Sequence, residues 1–143
     1  MRNNLPIAEL ERAIEEITSC PGLDDIHSES GDCIDLSRIL CVLLYRKDIS
    51  TERIWGLGHV SLRYPRASDD VCIDSTYLQF FEKDFLGAMP RILVGTIPMI
   101  VELFQRSIWG IKTKVKTRAK INGVEDISRF VNGLYVNTLP YVE

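Results

Sequence analysis

The chain of 143 residues predicts an α+β domain in which an apolar helix packs on an antiparallel sheet flanked by further helices. Three observations carry that expectation. Residues 33–44 are apolar over most of a helical circumference, and residues 58–64 alternate polar with apolar at a period of two. The turn-forming run Pro65 to Asp70 then separates that strand from a second short one.

Taken in order, Ile7, Leu10, Ile14 and Ile17 recur at helical spacing and predict an amphipathic helix from about Leu5 to Ser19, with Glu9, Glu11, Glu15 and Glu16 off the stripe. Asn4 fits its N-cap, Pro6 its first turn, and Cys20-Pro21-Gly22 its stop. Asp24 to Gly31 is a polar loop that delivers the chain to Cys33, on the first turn of the apolar helix. Ile34, Ile39, Leu40, Val42, Leu43 and Leu44 make that helix one expected to be buried in the middle of the domain.

Asp48 to Thr51 breaks the helix, and three strands follow: Glu52–Gly56, Gly58–Tyr64 and Val71–Asp74. The last two form an antiparallel pair joined by a hairpin of several residues. Thr76 to Met89 is irregular and aromatic, with Tyr77, Phe80, Phe81 and Phe85 capping one side of the core. Arg91–Val94 reads as another strand. Thr96 and Pro98 open a helix through about Trp109, with Ile100, Leu103, Phe104 and Ile108 inward. From Ile111 to Ile121 the alternation is strict and predicts a strand whose second face, Lys112, Lys114, Lys116, Arg118 and Lys120, is wholly cationic. Asn122-Gly123 turns the chain into a short helix, Val124–Leu134, with Ile127, Phe130, Val131 and Leu134 inward.

Length and composition set outer bounds. A chain of 143 residues suits one domain, 1–143, large enough to bury a core without disulfides. Its 45% hydrophobic and 26% charged residues are those of a soluble globular protein. No secretory signal and no apolar run long enough to span a membrane occur, which predicts a cytoplasmic protein or one exported by a non-classical route. Cys20, Cys33, Cys41 and Cys72 lack CxxC spacing, and only two histidines exist, so neither a zinc site nor any other metal or cofactor is expected. The net charge is −3, but the cationic strand holds five of the 17 Lys and Arg. The remainder has 12 against 20 Asp and Glu, a balance of −8, and no nucleic-acid partner is expected. The cationic face is either an edge guarded against aggregation or a docking face for an acidic partner.

The chemistry rests on Cys33, His59 and Asp74. A cysteine at the positive end of a helix is placed to be a thiolate nucleophile, though a buried thiol is ordinarily inert. His59 opens one strand and Asp74 closes the next, so the two are expected as cross-strand neighbours. The carboxylate would then bond one ring nitrogen and leave the other for Cys33, the arrangement of nucleophile, base and orienting acid. Separately, each has a plainer role: a satisfied polar histidine, a turn-forming aspartate. His27, in the polar loop, is the other candidate base.

Gly31-Asp32-Cys33 opening an apolar helix, Gly58-His59-Val60 in a strand, and Cys72-Ile73-Asp74-Ser75-Thr76 with Gln79-Phe80 resemble the transglutaminase-like branch of the papain-like cysteine enzymes. The resemblance covers about a third of the chain, Gly31 to Phe80. The small size looks most like the protein-glutamine deamidase domains of toxins and effectors. It implies a papain-like core, Cys33 as nucleophile, His59 as base, Asp74 as orienter and a protein substrate. Papain-like peptidase and transglutaminase activities are the alternatives within enzymes, and a non-catalytic binding module using strand 111–121 is the alternative outside them. Ser61 departs from the family's usual tryptophan after the histidine, and no calcium-ligand cluster is present. The second oxyanion donor is expected from Ser28, Ser30 or a backbone amide of the Asp24–Gly31 loop.

Overall fold

The structure, a computed structural model, describes residues 1–20, 22, 32–56, 58–81, 89–105, 124–135 and 140–141. Its class is α+β, and its centre is an antiparallel sheet. Helix α1 spans Ile7–Thr18 and α2 Cys33–Tyr45. Strands β1 (Glu52–Gly56), β2 (His59–Tyr64) and β3 (Val71–Asp74) follow, then a 3-10 turn at Tyr77–Phe80. After them come β4 (Leu93–Gly95), α3 (Ile97–Gln105), α4 (Val124–Tyr135) and the two-residue β5 (Pro140–Tyr141). The strand order is β4-β3-β2-β1-β5 with every pairing antiparallel.

The period-2 alternation of the strands sends two sets of side chains to two faces. Leu62, Tyr64, Val71 and Ile73 pack under α1 and α2 with Leu10, Ile14, Ile17, Leu40 and Leu44. Ile54, Cys72 and Leu93 pack on the opposite face with Ile100 and Phe104 of α3 and Ile127, Phe130, Val131 and Leu134 of α4. A single sheet is thus covered on both faces. The sequence predicts the apolar helix on the sheet together with further flanking helices; the structure divides the helices between the two faces.

Helix α2 departs from expectation. Ile34, Ile39 and Val42 are 44%, 41% and 48% exposed, while Cys33, Ser37, Leu40 and Leu44 are buried. The buried set recurs every three or four residues and is one stripe, so α2 lies on the sheet instead of running through the middle of the protein. Its apolar circumference exceeds the surface that the sheet and α1 offer it.

The first helix is shorter than expected, and its start is built differently. Pro6 holds the N-cap position, and its carbonyl accepts from Glu9 and Leu10 N–H. Asn4 does not cap; it adopts φ 55° and its Oδ1 accepts from Ala67 N–H at 2.7 Å. Tyr64 fixes the same segment, its hydroxyl accepting from Leu5 N–H and donating to the Arg2 carbonyl. Thr96 caps α3 by accepting from Met99 N–H. The cationic strand 111–121, the loop Asp24–Gly31 with His27, Ser28 and Ser30, and Phe85 and Ile108 lie outside the described residues. Among those described, no helix is long and apolar enough to cross a membrane, and no three His, Cys, Asp or Glu side chains cluster as metal ligands would.

Candidate active site

Two sheet registers position the site. β1 and β2 pair Gly56 with His59 through a tight turn in which Gly58 takes φ +72°, a conformation that favours glycine. β2 and β3 pair Leu62 with Ile73, and that register carried one step further sets Asp74 opposite Ser61. His59 and Asp74 are therefore cross-strand neighbours on one face, set diagonally. The diagonal separation suits an imidazole, which is long enough to span it.

His59 Nε2 and Asp74 Oδ2 are 2.6 Å apart, with both side chains 1% exposed. Asp74 is further held by Thr76 N–H on Oδ1 at 3.0 Å and by the Tyr135 hydroxyl on Oδ2 at 2.9 Å. Three donors thus converge on one buried carboxylate and fix its orientation. The hydrogen bond to Asp74 places a proton on Nε2 and directs Nδ1 to the other side of the ring. There the side-chain amide of Gln79 lies 3.1 Å from Nδ1, and the Cys33 thiol is hydrogen-bonded to the same ring. The ring of Phe80 stands edge-on to the imidazole at 4.7 Å between centroids, so the ring is gripped from a further direction.

The electrostatics follow from these contacts. Burial alone would push His59 down, but the charge and hydrogen bond of Asp74, with the Cys33 sulfur, hold it up at about 9. For Cys33 the hydrogen bond to His59 is the largest effect and lowers its pKa. Burial opposes it, Val60 N–H and the imidazole charge add to the lowering, and the Asp74 charge opposes. Both directions ease transfer of the thiol proton to the imidazole. Cys72 shows the contrast: burial, then the Asp74 and Asp70 charges, push its thiol up to about 12, and it stays protonated. All four cysteines are free thiols. Asp32 stands at the N-cap position of α2, where its carbonyl accepts from Leu36 N–H but its side chain makes no capping bond.

Helix α4 reaches the site because of Gly56. A Cβ there would stand 2.3 Å from the Leu134 carbonyl oxygen and 2.5 Å from that of Gly133, so only glycine lets the end of α4 lie on β1. Tyr135, the last residue of that helix, is thereby brought to Asp74 across 61 residues of sequence.

The structure brings together Cys33, His59 and Asp74, the three residues singled out by sequence. It adds Tyr135 and Gln79 as polar partners. Tyr135 carries no signal in the sequence beyond its place at the end of an amphipathic helix. Gln79 has one only as part of the Asp74-to-Phe80 motif. Comparison with protein-family models, curated proteins and solved structures finds no match for this chain.

Proposed function

We propose that the protein is a thiol-dependent amidohydrolase with a papain-like, transglutaminase-like core that deamidates glutamine in a protein substrate through Cys33, His59 and Asp74. One observation carries the reading. The imidazole of a buried His59–Asp74 pair, fixed by Thr76 and Tyr135, is hydrogen-bonded to a cysteine on the first turn of a helix. A solely structural histidine needs no thiol there, and a solely structural thiol would have its pKa raised by burial, as at Cys72. The motif resemblance from Gly31 to Phe80 supports the same assignment.

In the proposed reaction His59 Nδ1 takes the thiol proton, and the Cys33 sulfur attacks the side-chain carbonyl carbon of glutamine. The oxyanion is held by backbone N–H groups of the first turn of α2, which have no partner within the helix. His59 returns the proton to the departing nitrogen, which leaves as ammonia. Water then gives a proton to His59 while its oxygen attacks the thioester; glutamate is released and the thiol restored.

The test is alkylation and deamidation in parallel. Iodoacetamide is expected to label Cys33 faster than Cys20, the exposed thiol, at neutral pH, and His59→Ala to abolish the difference. Glutamine-containing proteins are expected to release ammonia, with the amide-to-carboxylate change located by mass spectrometry. Chain cleavage would assign a peptidase instead, and incorporation of an added amine a transglutaminase. A Cys33 that labels no faster than Cys20 sinks the reading.

A further inference from the structure

The Gln79 amide stands where a second donor to the catalytic base is chemically awkward. With Nε2–H given to Asp74, His59 Nδ1 has a single lone pair; Gln79 addresses it at 3.1 Å, while the Cys33 thiol is hydrogen-bonded to the same ring. Gln79 Nε2 also lies 3.2 Å from the Thr76 hydroxyl oxygen, so one amide end meets two partners. Each of the three groups can reverse its role. While His59 is neutral, the amide nitrogen donates to Nδ1 and to Thr76 Oγ1. Once Nδ1 carries a proton, a half-turn of the amide puts its oxygen in the same place, accepting from Nδ1–H and from the Thr76 hydroxyl. Both contacts survive the exchange, and no charge is added beside the imidazole. The 3-10 turn makes this local: Thr76 precedes it, and Gln79 and Phe80 lie within it.

We propose that Gln79 is a positioning residue that solvates His59 Nδ1 in both of its protonation states, so that the base can take and give back its proton without losing its place. The inference rests on the proposed Cys33–His59–Asp74 reaction and adds to it a residue specific to proton return. A group able only to accept would trap the imidazolium; a group able to do neither would leave it short of a partner.

Among the described residues, the groups that face His59 are Cys33 from α2, Asp74 from β3 with Tyr135 of α4 behind it, and Gln79 with Phe80 from the 3-10 turn. Among the described residues, Gln79 is the polar partner of the imidazole that lies outside the triad. p-Nitrophenyl acetate separates the steps, because a burst of nitrophenolate reports acylation of Cys33 and the steady rate reports deacylation through neutral His59. Wild type, Gln79→Glu and Gln79→Met are compared from pH 5 to 9, each checked for fold by circular dichroism. Gln79→Glu is expected to keep the burst, to slow the steady rate about tenfold at neutral pH, and to raise the pH of its half-rise by about 1. Gln79→Met is expected to move the half-rise downward, because the imidazolium loses an acceptor. Opposite movements are something a merely structural role does not produce. Profiles that coincide with wild type, or that move in one direction together, overturn the role of Gln79. Should either variant fail to fold, the direction in which the other moves decides. A wild type that releases nitrophenolate no faster than buffer alone, or a release that survives Cys33→Ala, defeats the triad reading itself and this inference with it.

Discussion

At Cys33 and His59 the lowered thiol and the raised imidazole make a concrete expectation. The thiol, lowered below 9.0 chiefly by its hydrogen bond to His59, is expected to show alkylation whose half-rise lies below the ordinary thiol value. As pH falls through that point the thiolate takes up a proton and the rate drops. As it rises toward about 9 the imidazolium loses its proton, and the thiolate persists without its donor. Asp74→Asn removes the charge that supports His59, so the half-rise is expected to move to higher pH. Each pH unit of that upward movement lowers the alkylation rate at neutral pH about tenfold. A stopped series of iodoacetamide reactions across pH measures this. Much of the pair was legible in sequence: a histidine opening one strand and an aspartate closing the next share a face whenever the register permits. Their diagonal placement was not legible, because one residue of register depends on hairpin packing, not on the residues of the hairpin alone.

Among the elements, α4 is the one whose contribution sequence conceals. Its amphipathic stripe is plain, and the structure follows it from Val124 to Tyr135, but a stripe does not say which side of which strand it covers. The signal that decides this is Gly56, a residue with no side chain in a strand, which reads equally as a weak position. Gly56→Ala is expected to force α4 off β1, costing about 1–3 kcal/mol in a urea titration. It should also slow Cys33 alkylation, since Tyr135 leaves with the helix. Tyr135→Phe isolates the hydroxyl: removing a donor to a buried carboxylate is expected to cost about 1.5–3 kcal/mol while leaving secondary structure unchanged by circular dichroism. Helix α2 teaches the complementary lesson. Its apolar composition was legible, yet the number of faces covered depends on how many neighbours arrive, and its main neighbours among the described elements are β2, β1 and α1. On its buried stripe Leu40 is fully enclosed, and Leu40→Ala is expected to lower stability by about 2–5 kcal/mol; Val42→Ala, on the exposed side, should change it by well under about 1 kcal/mol.

For the whole molecule, both helical layers press on the same strands from opposite sides, and the candidate site lies where they meet at one end of the sheet. Cys33 comes with the α1–α2 layer, Tyr135 with the α3–α4 layer, and His59 and Asp74 with the strands between. The order in which these parts leave the ribosome has a bearing on when the site exists. Cys33, His59, Asp74 and Gln79 are all made within the first 80 residues, but the hydroxyl that completes the carboxylate's partners waits for residue 135. A nascent chain holding Cys33, His59 and Asp74 therefore still lacks the helix that steadies them. Its thiol is expected to stay close to an ordinary cysteine until α4 has docked against Gly56, a delay that synthesis itself imposes on reactivity.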